Sequence, residues 1–411
     1  MSATFEKKYD VVVVGARVAG AATAMQLARA GMKVLAIDRA RYGADTVSTH
    51  AFMRGGVVLL QRWGLLPAIE ASGTPAVRMT TFHYGDETIP VEIKPKDGVD
   101  ALYAPRRTVL DAILGDAAAS AGVDLRYGVK LVDLLRHGHG RVNGVLLEDQ
   151  HGEQSRVYAD LVIGADGIKS TVAKLVDAPV LEPRNVVGGV AYGYWSGLAL
   201  DGYHWHYALG VGAGAIPTTG GDTLIFAAAT GEEFRREGRT DLSRWFRRTL
   251  ARGAPGLAAR IMNRQPVEPL HAFPGTPGYI RQAHGAGWAL VGDAGFFRDP
   301  ITAHGMTDAL RDSSLLVEAY VRDGERGLLD YAREREPWAR EMLDVTDAVA
   351  SYDWTLESVK PLHKRLSKMM SRESEMLAGR AWNEGVAGVS RGGGSLPMGV
   401  AVSMAPVARP A

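Results

Sequence analysis

The amino-acid sequence predicts an α/β fold in which a parallel sheet carries an inserted antiparallel sheet, followed by a helical C-terminal region. Three observations predict it. Residues 9–39 have the pattern of a strand, a glycine turn, a helix and a second strand. Residues 181–280 alternate aromatic and small side chains, which is typical of antiparallel strands. Residues 307–377 have helical periodicity. At 411 residues, the chain suits one large domain or two domains that share an interface.

The composition excludes several classes of protein. Lys and Arg total 47 against 46 Asp and Glu, so the formal net charge is +1 and no global field favours nucleic acid. The sequence has no cysteine, which rules out disulfides, thiolate metal sites and cysteine nucleophiles. We expect no signal peptide, because Gly15 ends the apolar run 11–14, and no membrane span, because no stretch approaches about 18 apolar residues. These features predict a cytoplasmic protein whose selectivity lies in a pocket.

The first predicted unit surrounds a glycine turn. A buried strand leads into Gly15, an Ala-rich helix follows Gly20, and the strand KVLAID ends at Asp38, which together make one βαβ unit. The turn keeps the first and third glycines of the pattern GxGxxG but has Arg17 in the middle. Phosphate can still bind the N–H groups at the helix N-terminus, and Asp38 can accept hydrogen bonds from a ribose. A generic strand-to-helix turn is the alternative interpretation.

The elements that follow complete the α/β region. We predict helices at 48–64, ending at Gly64, and at 108–121, with short strands around 125–127 and 142–147. Buried strands within 160–167 and 288–295 each run into a Gly/Asp turn. This region is predicted to comprise residues 1–77, 100–180 and 281–320.

The remaining segments form the inserted sheet and the C-terminal region. The substrate-side β-sheet domain is predicted at 78–99 and 181–280, and the helical region at 321–411. Pro337 predicts a break or kink in a helix. The tail from Gly385 is rich in Gly and Pro and lacks periodicity. We expect it to be loose, to cover a neighbouring surface or the pocket, or to serve a dimer contact.

Three ordered motifs carry a family resemblance. They are RRTVLD at 106–111, GADGIKS at 164–170 and GDAGFFRDPITAHGMTDAL at 292–310. Together with the glycine turn they resemble the FAD-dependent monooxygenases of the p-hydroxybenzoate hydroxylase type and their wider superfamily, which includes geranylgeranyl reductases and flavin-dependent halogenases. The resemblance implies a Rossmann-like FAD-binding domain with an inserted antiparallel β-sheet substrate domain.

The resemblance also implies a set of FAD-binding residues. Asp293 would accept from a ribityl hydroxyl, and the helix that opens at Gly305 would direct its N–H groups at the isoalloxazine ring. Arg107 would reach FAD, with Arg106 as the competing neighbour. His304 and Thr307-Asp308 depart from the family pattern around this turn. The full set is Gly15, Val18, Ala19, Gly20, Asp38, Arg39, Arg54, Arg107, Leu131, Asp166, Gly292, Asp293, Pro300, Gly305 and Met306.

Two members of that set have other interpretations from sequence alone. Arg54 resembles a family arginine near the cofactor pyrophosphate, but a surface helix arginine has the same pattern. The resemblance implies that Asp166 has roles in binding both FAD and NAD(P)H, but an Asp that only forms a turn would have the same sequence pattern.

The resemblance favours one activity and leaves alternatives. The first is a monooxygenase that inserts one oxygen atom from O₂, through a flavin C4a-hydroperoxide, into an electron-rich, aromatic small molecule. The second is a C=C reductase or dehydrogenase of the geranylgeranyl reductase type, although family reductases often carry a cysteine motif that this chain lacks. A halogenase is less favoured because Trp195-Ser196-Gly197 does not continue a WxWxIP motif. A non-enzymatic FAD-binding protein is the last alternative.

Electron supply and substrate contacts complete the expectations. No second glycine fingerprint is visible, so NAD(P)H binds outside a dedicated Rossmann domain or a partner flavin reductase supplies the electrons. No catalytic residue is assigned. His204 and His206 share a strand face, but the sequence shows no third ligand nearby, so no metal is expected. The candidates for the substrate pocket, which core packing explains almost as well, are Tyr192, Tyr194, Trp205 and His50.

Overall fold

The computed structural model describes residues 7–380. Its strands are β1 (Lys7–Val14), β2 (Val34–Asp38), β3 (Met79–Tyr84), β4 (Glu87–Glu92), β5 (Asp124–Tyr127), β6 (Lys130–His137), β7 (Arg141–Glu148), β8 (Gln154–Gly164), β9 (Val180–Pro183), β10 (Gly188–Ser196), β11 (Tyr203–Ala208), β12 (Val211–Pro217), β13 (Asp222–Thr230), β14 (His271–Phe273), β15 (Tyr279–Arg281), β16 (His284–Gly285), β17 (Trp288–Leu290) and β18 (Phe296–Phe297).

The helices follow the same order along the chain. They are α1 (Val18–Arg29), α2 (Arg54–Arg62), α3 (Leu66–Ala71), α4 (Arg107–Ser120), α5 (Thr171–Leu175), α6 (Gly231–Glu233), α7 (Leu242–Gly253), α8 (Pro255–Ile261), α9 (Gly305–Asp323), α10 (Gly327–Ala350) and α11 (Leu356–Gly379). Within residues 7–380, no helix combines the length and the apolar character that crossing a bilayer requires.

The first sheet contains the predicted βαβ unit. Its central order is β16-β17-β8-β1-β2-β5, and β6 and β7 extend from β8. Strand β1 pairs in parallel with both β2 and β8. The side chains of β1 and β2 are buried almost throughout, as expected for a parallel sheet covered on both faces. Helices α1, α2, α4 and α9 cover one face, and β6, β7 and α5 pack on the other. The α/β fold class is therefore confirmed.

The second sheet has the order β14-β10-β13-β12-β11-β3-β4. Its pairs are antiparallel except for β11 with β3, which are parallel. Segment 79–92 thus joins the strands of 188–273 in one sheet, as the β character of both segments predicts. The prediction of strands throughout 181–280 is wrong in part, because α7 and α8 cover the outer face with Trp245, Phe246 and Leu250. The domain boundaries stay a prediction, although the one between 320 and 321 falls inside α9.

Two further helix predictions need correction. Helix α2 ends near Gly64 as predicted, but it begins at Arg54 rather than near residue 48. The preceding loop bonds across to other segments, since the Phe52 N–H donates to the Tyr103 carbonyl at 2.9 Å and His50 has a φ of 41°. The predicted break at Pro337 is wrong, because α10 runs through this residue to Ala350, whereas the alternative of a kink stays a prediction. The predicted tail from Gly385 lies outside the described residues.

Candidate cofactor and substrate site

The glycine turn packs tightly against the loop that follows β8. Gly15 has a φ of 100°, and a Cβ on it would lie 2.4 Å from the Ala165 carbonyl oxygen. A Cβ on Gly20 would lie 1.7 Å from the Gly15 carbonyl oxygen. Only glycine fits at both positions, so these two residues allow β1, α1 and β8 to meet at one edge of the sheet.

The N-terminus of α1 offers unpaired backbone donors. Arg17 precedes the helix, and among the described residues no side chain caps it and no acid lies in its first turn. The first intrahelical bond runs from the Ala21 N–H to the Arg17 carbonyl. The N–H groups of Val18, Ala19 and Gly20 therefore lack helical acceptors, and together with the helix dipole they could receive a phosphate.

Asp38 lies beside this turn, as the sequence predicts. Its carboxylate accepts from the Ala16 N–H at 2.9 Å and from the Ala40 N–H at 2.8 Å. These bonds orient the carboxylate and leave lone pairs that could accept from a ribose. The Asp38 carbonyl accepts from the Val129 N–H, which places the start of β6, with Leu131, next to the same corner. Arg39 follows on the exposed surface.

The turn at 292–293 closes the cleft from the other side. Gly292 has a φ of 59°, and a Cβ there would approach Ala19 Cβ to 3.0 Å. The Tyr279 hydroxyl lies 2.7 Å from the Asp293 carbonyl oxygen and 3.1 Å from that of Ile168, so it links this turn to the loop after β8. Segments that are far apart in sequence thus converge on the α1 N-terminus.

The carboxylate of Asp293 is available to accept a hydrogen bond from a bound ligand. No described residue donates a hydrogen bond to it, and burial raises its pKa to about 6 despite the nearby charges of Arg298 and Arg107. A ligand hydroxyl in the cleft would satisfy this carboxylate and favour its ionised form. Together with the glycine positions and the uncapped helix, this feature shows that the residues present fit FAD.

A second uncapped helix N-terminus faces the same region. Asp299 accepts from the Ile301 N–H at 3.0 Å and the Gly188 N–H at 2.8 Å, which ties the loop through Pro300 to β10. Helix α9 then begins at Gly305, and His304 before it provides no side-chain cap. Gly305 is exposed, and a Cβ there would meet nothing within 4 Å. The first N–H groups of α9, including that of Met306, are thus open to a ligand.

A buried charge network supports the start of α9. His304 Nε2 lies 2.5 Å from a Glu373 oxygen, and Arg311 donates to Glu373 at 2.6 Å and to Asp308 at 2.7 Å. Burial by itself raises the pKa of Glu373, but His304 and Arg311 together hold it at about 2. The sequence reasoning missed this network. The spacing of His304 and Asp308 was a signal, but nothing in the sequence connects them to Glu373 on α11.

The two neighbouring arginines face different ways. Arg107 forms a two-point pair with Asp111 at 3.0 and 2.9 Å, and Arg17 lies 3.8 Å from the same carboxylate, which places Arg107 near the glycine turn. Arg106 instead lies 3.9 Å over the ring of Tyr194 on the second sheet and pairs with Glu268. This geometry supports the preference for Arg107 as the cofactor-side residue.

Two predicted cofactor residues have local roles in the structure. The guanidinium of Arg54 donates to the backbone carbonyls of Lys94, Lys96 and Val99, so its contacts are with that loop and not with the glycine turn. The expectation of an arginine at the pyrophosphate stays a prediction. The Asp166 carboxylate accepts from the Ser170 hydroxyl and the Thr171 N–H, as a turn-forming Asp would, and its role at the cofactor stays a prediction.

A pocket lies between the second sheet and the loop before α9. Its enclosed volume is about 20 Å³, and the space around it opens to solvent. Aromatic and small side chains line it, among them Trp205, Phe226, Ala228 and Tyr352, together with Pro300 of the loop. The Trp205 indole is held by a 2.9 Å bond to the Thr80 hydroxyl. Of the predicted pocket residues, Trp205 lines this cavity, and sequence reasoning missed Phe226 and Tyr352.

Tyr192, Tyr194 and His50 lie beside this pocket without lining it. The Tyr192 hydroxyl accepts from the Ser48 N–H at 3.0 Å, and His50 Nε2 lies 3.0 Å from the Tyr194 hydroxyl. These bonds anchor loop 45–53 to β10. Burial, followed by the charges of Arg106 and Arg107, lowers the pKa of His50 to about 3, so this imidazole is neutral near pH 7.

The expectation that no third potential ligand lies near His204 and His206 is wrong. His83 on β3 lies beside both, because β3 pairs with β11 in the folded sheet. Nothing in the local sequence pattern indicates this pairing, since His83 is separated from His204 by 121 positions.

The chain belongs to the family described as an FAD binding domain, whose model matches residues 8–346. It is therefore an FAD-dependent oxidoreductase. It is 29% identical over 336 residues to the menaquinone reductase of Mycolicibacterium smegmatis, covering 77% of each chain. It is 28% identical over 331 residues to the digeranylgeranylglycerophospholipid reductase 2 of Methanothermobacter thermautotrophicus, covering 79% of this chain and 80% of that protein.

A solved structure shares the fold. The crystal structure of PqsL, a probable FAD-dependent monooxygenase from Pseudomonas aeruginosa, matches with a TM-score of 0.73 at 21% identity. The match covers 87% of this chain and 100% of that one. At this identity the likeness establishes the fold alone, so it confirms the architecture and leaves the reaction to other arguments.

Proposed function

We propose that this protein is an FAD-dependent monooxygenase that inserts one oxygen atom from O₂ into an electron-rich, aromatic small molecule. The observation that carries the proposal is the chemical character of the pocket beside the α9 N-terminus. Its walls are apolar and aromatic, and the carboxylate of Asp299, the one acid among the described lining residues, is already bonded to two backbone N–H groups. Walls of this kind match a flat aromatic molecule in chemical character.

FAD would bind along the convergent segments. Its pyrophosphate would lie on the N-terminus of α1, its adenosine ribose at Asp38 with the adenine near Leu131, and its ribityl chain at Asp293. The ring system would lie against the first N–H groups of α9. When bound, FAD supplies the redox chemistry that activates O₂. The chain contributes binding, orientation and the positive end of α9, which favours electron density on the ring.

Tyr352 gives the pocket one polar contact. Its hydroxyl is buried and has no hydrogen-bond partner among the described residues. Burial raises the pKa of Tyr352 well above its usual value, so the hydroxyl stays neutral. It is therefore a suitable hydrogen-bond partner for one oxygen or nitrogen of a substrate. A phenol-like or aniline-like ring would supply such an atom.

A C=C reductase is the second candidate. The observation in its favour is the similarity to two proteins named as reductases of a menaquinone and of a digeranylgeranylglycerophospholipid. An apolar pocket would also receive an isoprenoid chain. We further propose NAD(P)H as the electron source, directly or through a partner flavin reductase, together with a cytoplasmic location and a homodimer.

Product mass discriminates between the two candidates. Purified FAD-loaded protein would be incubated with NADH or NADPH under ¹⁸O₂, with a panel of phenols, aminoaromatics and isoprenoid quinones, and the products analysed by mass spectrometry. Monooxygenation predicts a product that gains one ¹⁸O atom. A product that gains two hydrogens and no ¹⁸O would overturn the proposal in favour of the reductase. A matched incubation with H₂¹⁸O identifies oxygen that comes from water.

A further inference from the structure

Three imidazoles meet on the outer face of the second sheet. Strands β3 and β11 pair in parallel with His83 opposite His206 and Thr81 opposite His204. The rings of His83 and His206 stack with centroids 4.0 Å apart, and His204 Nδ1 lies 3.1 Å from His83 Nε2. One ligand nitrogen from each of the three histidines lies within 4.8 Å of the others. Two stacked imidazolium ions would repel each other, so these rings are not all protonated.

The nitrogen spacing suits a small divalent cation. Zinc binds imidazole nitrogen at about 2.0–2.1 Å in tetrahedral sites, which puts neighbouring ligand nitrogens about 3.3 Å apart. The observed His83–His204 spacing is close to that value. The rings of the three histidines are stacked nearly parallel, so their side-chain torsions must rotate before the lone pairs, which lie in the ring planes, converge on one ion.

In His204 and in His83, the ring nitrogen that faces away from the other histidine has a hydrogen-bond partner. This is usual for histidines that bind a metal. His204 Nε2 lies 2.7 Å from an Asp201 carboxylate oxygen, which requires a proton on Nε2 and leaves the Nδ1 lone pair directed at His83. His83 Nδ1 lies 3.1 Å from the Thr88 hydroxyl, which can either donate or accept. A cation could therefore replace the proton between the rings, with the His83 proton moving from Nε2 to Nδ1.

Two other groups in residues 7–380 bring three potential ligands together, but in each group an arginine side chain already pairs with at least one of the acidic residues. Arg106 pairs with Glu268 in the group of Asp45, Glu268 and His271. Arg311 pairs with both acids in the group of His304, Asp308 and Glu373. Around the three histidines no ion pair with lysine or arginine occurs among the described residues. The ligand set is thus neutral imidazole with one supporting carboxylate.

We propose that His83, His204 and His206 bind a divalent first-row transition-metal cation, with Zn²⁺ as the best-suited ion, and that a water molecule completes its coordination. All three side chains are partly exposed, so solvent can reach the fourth position. The cation joins β3 to β11, the single parallel pairing in the described part of this sheet. It is a structural clamp that holds segment 79–92 in place, on the face opposite the side chain of Trp205.

The test is direct metal binding by the full-length, FAD-loaded protein without a polyhistidine tag. Zn²⁺ would be titrated by calorimetry, and Co²⁺ by the visible absorbance of a tetrahedral nitrogen site. We expect one equivalent to bind and the melting temperature to rise with the concentration of Zn²⁺. His83→Gln and His206→Asn should each weaken binding by at least about 100-fold, and Asp201→Asn, which loosens His204, by about 10-fold.

His151→Gln is the matched control, because His151 is exposed in the turn after β7 and should leave binding unchanged. Circular dichroism and the FAD content of each variant show whether it has folded. Failure of the wild-type protein to bind at 100-fold excess of Zn²⁺ over protein, or equal affinity in folded His83→Gln and wild type, would overturn the proposal. If His206→Asn fails to fold, His83→Gln and Asp201→Asn decide the outcome. None of these measurements depends on the reaction catalysed.

Discussion

The cofactor cleft and the substrate pocket are built from different parts of the chain. In the cleft, backbone groups predominate: Gly15 and Gly20 allow close approach, and the first N–H groups of α1 and α9 point outward. In the pocket, side chains from the second sheet and from the segment after α10 form the walls. A site formed by backbone groups restricts which residue types can stand at its positions. A site formed by side chains can be built by many different sequences.

The largest effect is expected where backbone approaches backbone. Gly20→Ala would place a Cβ 1.7 Å from the Gly15 carbonyl oxygen, so α1 must move and FAD binding should be lost, with destabilisation of about 3 kcal/mol or more. The measurement is denaturant unfolding together with FAD content. The control is Gly256→Ala in α8, where a Cβ meets nothing within 4 Å and stability should change by less than about 1 kcal/mol. Equal effects at both glycines would contradict this account of the cleft.

The next effect tests the side-chain contributions to the cleft. Asp293→Ala removes the carboxylate that lacks a protein donor, so the protein should be purified without colour, with FAD affinity reduced by about 100-fold, or roughly 2.7 kcal/mol. Asp38→Ala should reduce the affinity for FAD by only about 10-fold, because neighbouring N–H groups still face the cofactor. Fluorescence titration of the apoprotein measures both affinities. Full yellow occupancy in Asp293→Ala would contradict the assignment.

Lowering the pH should reduce the free energy of unfolding through His50, which lies at the junction between the two regions. The unfolded pKa of about 6.5 falls to about 3 in the folded protein, so the unfolded state binds a proton first as the pH decreases. Stability from this group is complete above pH 6.5 and is lost progressively towards pH 3, with about 2 kcal/mol lost at pH 5. The measurement is the free energy of unfolding at pH 7 and pH 5. The His50→Gln variant should lose about 2 kcal/mol less than wild type over that interval, and an equal loss would exclude His50 as the cause.

The smallest effect is expected in the pocket. Tyr352→Phe removes a buried hydroxyl that has no partner among the described residues, so stability should stay within about 0.5 kcal/mol or rise slightly. Tyr331→Phe is the matched control, because that hydroxyl donates to the Leu290 carbonyl at 2.8 Å and its loss should cost about 1 kcal/mol. Thermal unfolding at pH 7 compares the two. A larger loss for Tyr352→Phe would mean that its hydroxyl stabilises the free protein rather than awaiting a substrate.

Much of the cofactor cleft could be predicted from the sequence. Strand β1, helix α1 and strand β2 were predicted because buried β-rich runs and an Ala-rich helix flank the glycines, and local pattern is enough to define such a unit. The positions of Asp38 and Asp293 followed from the ends of buried strands. The contacts of Arg54 with loop 94–99 could not be predicted, because the pattern of its own helix carries no information about that loop.

The sequence by itself determined the α/β class and the FAD family, because the glycine turns and the ends of buried strands occur in a recognisable order along the chain. The assignment of individual cofactor-binding residues stays a prediction. The tertiary structure alone decided which side chains meet. It brought His83 to His204 and His206, Glu373 to His304, and Tyr352 to the pocket. Each of these contacts joins segments far apart in sequence, and such contacts depend on how strands and helices pack rather than on local pattern.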